Sequence, residues 1–341
     1  MKNSLKPSRN SKGQIVCLYA GAICFLLLSA LLGILLGGTR LSVSDILGAI
    51  VGGAADSPEA RILRYVRLPR TGASLLCGAA LAVSGAVIQG VLANRLASPS
   101  IIGVNAGAGL AVTLCSAAGI LGGWRLSLSA FLGAFLTVLL VSGAAAKWGA
   151  SRGTVILMGV ALNSLLGAIS DTVVTFAPEV AILRNDFRIG DFSAVTTAKL
   201  IPAAVLIFAA LLFLFTLSNE LDVLTLGEEN ARGLGLNTGV MRVVFLMLAA
   251  VLAGVAVSIA GLLSFVGLLV PHAVRRIATG QAKHLLPLCA ILGAGFVTLC
   301  DTLARFVFAP YEIPVGIIMA FLGAPFFLFI LFRGKGGHSR A

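Results

Sequence analysis

Charged residues, and acidic ones above all, are scarce in this 341-residue chain. Asp, Glu, Lys and Arg together make up 11% of it, with only 13 Asp and Glu against 25 Lys and Arg, whereas 58% of its residues are hydrophobic and 40 are glycine. Soluble domains carry about 25% charged residues. This composition excludes a water-soluble globular protein, a disordered chain and a fibrous protein, and it places most of the chain in lipid.

Residues for two kinds of chemistry are also missing. The sequence has no G-x-x-x-x-G-K-[ST] phosphate loop, so it has no means of hydrolysing ATP by itself. Its 6 cysteines lie within apolar stretches, without a C-x-x-C pair or a histidine at ligand spacing, which favours inert packing over metal or disulfide chemistry. We therefore expect no catalytic, cofactor-binding or metal-binding residue in this chain.

Long apolar runs dominate what is present. A helix that crosses about 30 Å of hydrocarbon needs about 20 apolar residues. Candidate runs lie at residues 15–36, 71–93, 101–122, 126–146, 154–176, 199–218, 240–260, 261–274, 285–306 and 313–332. The sequence thus predicts an all-α membrane protein, a bundle of about ten transmembrane helices over residues 15–332, in which the eighth span is short.

An even number of spans places both termini on one side of the membrane. Basic residues in the tails, 1–14 and 333–341, indicate that this side is the cytoplasm. The first apolar run is too long for a signal-peptide core and no cleavage site follows it, so we expect it to remain as a span. The basic residues fall between apolar runs rather than in one stripe, which indicates contact with membrane lipid and argues against nucleic acid as a partner.

One predicted outer loop carries more positive charge than this topology favours. Arg61, Arg64, Arg67 and Arg70 recur at every third residue, which on a helix gathers them towards one side just before the second span. Such a row suits an acidic partner, because guanidinium groups pair with carboxylates through two hydrogen bonds. Interaction with lipid phosphates is one alternative, and a topology that places this loop inside is another.

Acidic residues well inside the predicted spans are limited to Asp171 and Asp301. Proton-coupled secondary transporters use relays of such residues, so this scarcity argues against that class. Arg305 follows Asp301 by four residues, and we expect a structural ion pair on one helix face. For Asp171, a hydrogen-bonded structural role and a place in a translocation path both stay open.

A polar segment at about residues 221–237 lies between two spans on the predicted cytoplasmic side. Glu228 and Glu229 suit the positive end of a helix, and Gly233 and Gly235 can end it. The segment therefore predicts a short helix along the membrane surface. A plain amphipathic connector is the alternative.

Several motifs occur in a family order from about residue 60 to residue 332. They are RLPR at 67–70, GLLSFVGLLVPH at 261–272, DTLAR at 301–305, EIPVG at 312–316 and GAPFF at 323–327. Together they resemble the FecCD-type permeases, the membrane subunits of ABC importers for iron-siderophores, haem and vitamin B12. Two positions depart from the family pattern. Arg95 replaces the proline of an N-P-L-A turn, and Phe187 replaces the tryptophan of a W-x-x-G motif that ends at Gly190.

The resemblance implies a vitamin B12 permease-like subunit of the bacterial plasma (inner) membrane. It would work with a second permease subunit, either a copy or a paralogue, with two cytoplasmic ATPase subunits, and with an extracytoplasmic substrate-binding protein. Arg67, Arg70 and Arg305 would face outward and dock glutamates of that binding protein, with Arg61 and Arg64 as further candidates. ATP and Mg would be bound by the partner ATPase and not by this chain.

The resemblance also implies roles on the cytoplasmic side. The segment similar to L-G-E-E-x-A-R-x-L-G would be the coupling helix that contacts the ATPase, through Gly227, Glu228, Glu229, Ala231, Arg232, Leu234 and Gly235. The fifth span would line the pathway, with an inner gate at Ser151, Arg152, Gly153 and Thr154.

We accordingly predict a permease subunit that translocates a metal chelate, a ferric siderophore, with ATP hydrolysed by a partner. The chain itself is then not an enzyme. The same machinery carrying vitamin B12 or haem is the nearest alternative. A proton-coupled secondary transporter and a membrane enzyme are alternatives of other classes, and both lack the residues that they would need.

Overall fold

The computed structural model describes residues 12–37, 57–278 and 280–335. Within these ranges the regular structure is helical and no β-strand occurs, which confirms the all-α prediction. Most of the two predicted tails, residues 1–11 and 336–341, lies outside the described residues.

Apolar helices follow one another in the order of the predicted spans. They are α1 Lys12–Leu35, α3 Leu68–Val91, α4 Val104–Ala117, α5 Gly123–Lys147, α6 Arg152–Phe176, α8 Thr197–Thr216, α11 Thr238–Ala260, α12 Val266–Ile277, α13 Ala282–Phe306 and α14 Val315–Lys335. Shorter helices connect them, namely α2 Pro58–Ile62, α7 Ala181–Ile189, α9 Ser218–Thr225 and α10 Glu228–Gly233. A π-helical turn, Leu63–Arg67, joins α2 to α3.

Two of the predicted spans are longer than the helices that the structure contains. Among the described residues, 7 helices are long and apolar enough to cross a membrane. Helix α4 has only 14 residues, and α12 has 12 and begins at Val266 rather than at residue 261. The backbone at Gly261 and Phe265 has positive φ, 71° and 67°, which keeps residues 261–264 out of the helix.

Helices α3, α11 and α13 form the centre of the bundle, where glycine lets backbones touch. A Cβ on Gly78 of α3 would lie 2.3 Å from the carbonyl oxygen of Gly293 in α13, and one on Gly85 would lie 1.9 Å from that of Gly267 in α12. Helices α4 and α5 cross in the same way, since a Cβ on Gly107 would lie 2.3 Å from the carbonyl oxygen of Gly133. Small residues permit such close crossings in lipid, where no hydrophobic force draws helices together.

Helix α6 lies at the periphery of this bundle. Within its most apolar stretch 17% of residues are buried inside the chain, compared with 78% for the stretch Pro58–Val91 that contains α3. Gly159 is one point of close packing, since a Cβ there would lie 2.3 Å from the carbonyl oxygen of Ile101. Most of the α6 surface is therefore open to lipid, to water or to another subunit.

Candidate functional site

The short helix predicted at the cytoplasmic side is α10. Gly227 precedes it with a φ of 104°, and Asn230 donates from Nδ2 to the carbonyl of Leu226 at 2.9 Å. The helix ends at Gly233, and Gly235, whose φ is 83°, lies two residues beyond it and turns the chain away. The glycines thus set both ends of α10.

The surface of α10 is partly apolar and partly charged. Ala231 lies on the buried face of the helix, whereas Glu229 and Arg232 lie on its exposed face. Leu226 and Leu234, at its two ends, are 57% and 65% exposed. Exposed leucines beside charged groups form a surface that suits a protein partner better than water alone.

Three side-chain contacts fasten the segment made by α9 and α10 to the rest of the chain. Glu228 pairs with Arg242 of α11, and Arg242 also donates from Nη1 to the carbonyl of Ala150 at 2.9 Å. Arg152 donates from Nη2 to the carbonyl of Leu224 at 2.8 Å. Asp222 accepts from the backbone N–H of Ala282, the first residue of α13, at 2.8 Å.

Asp222 titrates abnormally because of where it lies. Burial raises its pKa above the ordinary value, and this effect outweighs the backbone N–H of Ala282 and the charge of Lys283, both of which favour the carboxylate. The group therefore contributes an acceptor to α13 at some desolvation cost.

The predicted inner gate residues lie at the start of α6. Ser151 caps the helix, because its Oγ accepts from the backbone N–H of Thr154 at 3.2 Å and lies 2.9 Å from Thr154 Oγ1. Ser151, Gly153 and Thr154 are exposed, and Arg152 is half-buried against α9. The structure thus brings this region beside the α9 and α10 segment.

Helix α6 carries a stripe of small and polar residues along its exposed surface. These residues recur at helical spacing and are Thr154, Ala161, Ser164, Ala168, Asp171 and Thr175, and the exposed Leu157 interrupts the row. Polar groups that face hydrocarbon are costly, so such residues in spans face protein or a water-filled cavity. We expect a row with this many polar groups to face protein or a water-filled cavity rather than lipid.

A cavity of about 360 Å³ lies between α4, α6 and the short helix α7, with several polar side chains in its wall. Asp171 of α6 and Arg184 of α7 form an ion pair across it at 2.5 Å. Asn105, Asn163 and Arg188 also line the cavity. Of the two roles left open for Asp171, the structure shows an ion pair, and the same side chain also lines the cavity.

The arginines Arg67 and Arg305 hold the end of α1. Arg67 donates from Nη1 to the carbonyls of Ile34 at 2.6 Å and Leu35 at 2.7 Å. Arg305 donates from Nη2 to the carbonyl of Gly33 at 3.0 Å. These carbonyls belong to the last turn of α1, which has no intrahelical donors and carries the negative end of the helix dipole.

Asp301 joins two arginines inside the bundle. Its Oδ1 lies 3.0 Å from Arg70 Nη2, and its Oδ2 lies 3.1 Å from Arg305 Nε. The second contact is the ion pair at a spacing of four residues that the sequence predicted, and it is confirmed. Arg70 also pairs with Glu312 at 2.7 Å.

These contacts place Arg67, Arg70 and Arg305 inside the chain and not on its outer surface. They are 2%, 4% and 3% exposed, whereas Arg61 and Arg64 are exposed. The expectation that the row shares one outward side is therefore corrected. Steps of three residues at about 100° each fall short of a full turn by about 60°, and the π-helical turn Leu63–Arg67 lies within the row, so its members do not stay on one side.

Main-chain hydrogen bonds join α7 to two distant segments. Leu262 donates to the carbonyl of Phe187 at 2.9 Å, and Asp191 donates to that of Ala260 at 2.8 Å. Gly316 donates to the carbonyl of Gly190 at 3.2 Å. The phenylalanine that replaces the family's tryptophan contributes its carbonyl to this junction, so the replacement leaves the main-chain contact in place.

The turn that lacks the family's proline is formed by an asparagine. Asn94 accepts from the backbone N–H of Leu96 on Oδ1 at 2.9 Å, and its carbonyl accepts from that of Ala97 at 3.0 Å. A side chain that bonds two residues ahead imitates a backbone turn. Arg95 is accommodated as an exposed residue of this turn.

Three comparisons with known proteins agree with one another. The sequence model of the FecCD transport family matches residues 25–333. The chain is 35% identical to the iron(3+)-hydroxamate import system permease protein FhuB of Bacillus subtilis (strain 168), over 95% of this chain and 85% of that protein. It is 36% identical to the vitamin B12 import system permease protein BtuC of Klebsiella pneumoniae, over 80% of this chain and 82% of that protein. A solved structure of a metal-chelate type ABC transporter in an inward-facing conformation superposes with a TM-score of 0.84 at 30% identity, over 93% of this chain and 99% of that chain.

Proposed function

The chain belongs to the FecCD transport family and is a permease of an ABC importer, and on this basis we propose that its cargo is a ferric siderophore. The relative named for iron(3+)-hydroxamate matches 95% of the chain, and the one named for vitamin B12 matches 80% of it. This wider match is the observation that carries the proposal. Vitamin B12 is the second candidate, because the identity to its permease, 36%, is as high, and haem is a third.

We propose that α10 and its flanks contact a cytoplasmic ATPase subunit, which binds ATP and Mg²⁺ in place of this chain. The exposed Leu226 and Leu234 supply apolar contact, and Glu229 and Arg232 supply charged groups between them. With α10 on the cytoplasmic side between the sixth and seventh spans, we also propose that both termini lie in the cytoplasm of a bacterial cell and that the protein lies in the plasma (inner) membrane. Gly227 and Gly235 support the contact by setting where the helix begins and ends.

We propose further that the polar stripe of α6 lines the cargo path, together with a second permease subunit that is a copy or a paralogue. The stripe supports this because its polar groups need water or protein to face. Its first member, Thr154, lies at the inner gate beside Ser151, Arg152 and Gly153. Scattered polar groups of this kind suit transient passage, and tight affinity for the cargo then belongs to an external binding protein.

Docking of that binding protein stays a proposal for the outer surface. Arg61 and Arg64 are exposed there and can meet acidic side chains of a partner. Arg67, Arg70 and Arg305 could reach such groups only by giving up the carbonyls of α1, Asp301 or Glu312. We therefore assign the direct contact first to Arg61 and Arg64, with the other three supporting the surface from below.

Uptake of radiolabelled iron tests the proposed cargo. Cells that lack this permease would be supplied with iron on a panel of siderophores, and with haem and vitamin B12 in parallel, before and after complementation. We expect the wild-type gene to restore uptake of iron from one ferric siderophore. Leu234→Asp, a variant designed to block the ATPase contact, should not restore this uptake when it is expressed at the same level. If only the uptake of vitamin B12 or of haem is restored, that compound replaces the ferric siderophore as the cargo. If Leu234→Asp restores uptake as well as the wild type does, the proposed ATPase contact is contradicted.

A further inference from the structure

Two arginines link the α9 and α10 segment to the turn that begins α6. Arg242 is bonded at the same time to Glu228, the first residue of α10, and to the carbonyl of Ala150, the latter at 2.9 Å. Arg152, the first residue of α6, donates to the carbonyl of Leu224 in the last turn of α9 at 2.8 Å. The segment is thus held to the start of α6 directly through Arg152 and indirectly through Arg242 of α11.

The position of Arg152 is not explained by the stability of its own helix. A cation at the first residue of a helix lies at the positive end of the helix dipole, which is unfavourable. The carbonyl that it meets lies at the negative end of α9, where a cation is favourable. The favourable electrostatic interaction of Arg152 is therefore made with α9 and not within α6.

Arg242 is also placed for a joint role. It is buried, at 9% exposure, so its contacts are screened from water and depend on geometry. One guanidinium that bonds a carboxylate on α10 and a carbonyl before α6 keeps both groups at a fixed separation. A shift of α10 that preserves these bonds must move the carbonyl of Ala150 with it.

The third contact of the segment is with a much firmer element. Asp222 accepts from the N–H of Ala282 at the start of α13, and 67% of the apolar stretch of α13 is buried, compared with 17% in α6. Displacing α13 would disturb more of the packed core than displacing the start of α6, where Val155 is buried but Ser151, Gly153 and Thr154 are exposed. Arg242 is carried by α11, 61% of whose apolar stretch is buried. We therefore expect a push on the segment to be resisted at α13 and α11 and to be taken up at the start of α6.

We propose that Arg242 and Arg152 are positioning residues that carry movement of α10 to the inner gate at the start of α6. This inference rests on the proposed function, in which an ATPase subunit acts on α10. The arginines touch neither ATP nor cargo. Their loss should separate ATP hydrolysis from transport, whereas residues that only hold α10 in shape should lower both together.

Transport by the complete importer in proteoliposomes tests this assignment. The permease, ATPase and binding protein would be assembled with wild-type permease, Arg242→Gln, Arg152→Gln, or Lys147→Gln, which changes an exposed cation at the end of α5. We expect each arginine variant to keep ATPase association and at least half of the hydrolysis rate, while uptake falls about tenfold. Lys147→Gln should match the wild type.

A labelling experiment on the gate gives a second readout. Thr154→Cys would be introduced after replacement of the 6 native cysteines, and the rate of its reaction with an aqueous maleimide compared with and without ATP and vanadate. The rate should change with ATP in the otherwise wild-type complex and stay constant in either arginine variant. Arg242→Lys, which can keep one of the two bonds, should be intermediate.

The outcomes separate this inference from the function on which it rests. A proportional fall of association, hydrolysis and uptake in the arginine variants would overturn the inference, as would an unchanged response of Thr154→Cys to ATP. A wild-type complex that shows no ATP-dependent uptake of any tested chelate would instead overturn the proposed function.

Discussion

Asp301 and Arg70 lie against each other in the interior of the bundle, with Oδ1 and Nη2 3.0 Å apart, although 231 residues separate them in the chain. Asp301 is fully buried and also neutralises Arg305. Arg70 also reaches Glu312, and Arg305 also reaches the end of α1. One carboxylate thus organises the contacts of three helices, α1, α3 and α13.

Replacement of that carboxylate should be costly. In Asp301→Asn, two buried guanidiniums lose their shared negative charge, and breaking one partner of a buried pair costs about 3–5 kcal/mol. We expect a marked fall in the melting temperature of the purified protein in detergent. Asp171→Asn is the matched control, because its side chain is 69% exposed. Equal shifts in the two variants would contradict the structural role of Asp301.

Glycine at the crossing of α3 and α12 should not tolerate a methyl group. In Gly85→Ala the new Cβ would meet the backbone oxygen of Gly267 at 1.9 Å, and backbone cannot move aside as a flexible side chain can. Overpacking of this kind costs about 1–3 kcal/mol or more. Size-exclusion chromatography of a fluorescent fusion should show less folded protein. Gly109→Ala, with no atom within 4 Å of its new Cβ, should behave as the wild type.

Charge reversal should separate docking from folding among the outer arginines. Arg61→Glu and Arg64→Glu change exposed groups, so we expect severalfold weaker association with the binding protein and an unchanged melting temperature. Arg67→Glu and Arg305→Glu place a carboxylate against the carbonyls of α1, so their melting temperatures should fall. ATPase assembly is measured in parallel as a control for the cytoplasmic side. If Arg61→Glu and Arg64→Glu bind the binding protein normally, contact with lipid phosphates becomes the better interpretation of these two arginines.

The raised pKa of Asp222 makes a prediction about pH. A carboxyl whose pKa is higher in the folded than in the unfolded protein stabilises the fold below the unfolded pKa, and this contribution is lost as pH rises through the folded pKa. Asp222→Asn keeps an oxygen that can accept from Ala282 and removes the buried charge. Its melting temperature relative to the wild type should be higher at pH 7 than at pH 4. A difference that is constant over this range would show that Asp222 titrates normally.

The sequence predicts the spans and the ends of α10 because local properties determine them. Apolar runs of about 20 residues have few other places in a protein than lipid. Glu228 and Glu229 suit the positive end of a helix, and Gly235 adopts a backbone angle that other residues avoid. The pairing of Asp301 with Arg305 also depends only on helical spacing. These features could therefore be named before any tertiary contact was known.

Features that depend on distant segments could not be predicted in this way. The burial of Arg67 follows from carbonyls of α1 that lie 32 and 33 residues earlier. Helix α12 begins late where Gly261 packs against the backbone of Phe187. An ideal Cβ on Gly261 would lie 2.5 Å from the carbonyl oxygen of Phe187. Arg242 has the pattern of an ordinary cation at the cytoplasmic end of a span, and only its two partners reveal its position.

The junction between α7 and the segments at residues 260–262 and 316 is made by main-chain atoms, through Phe187, Gly190 and Asp191. Hydrogen bonds between backbone groups do not depend on which side chain a residue carries. The side chain of Arg188, which borders the cavity beside Asp171, can therefore change without loss of the junction. A single substitution at Arg188 should therefore change the charge and the size of the cavity lining while the main-chain junction beside it stays in place.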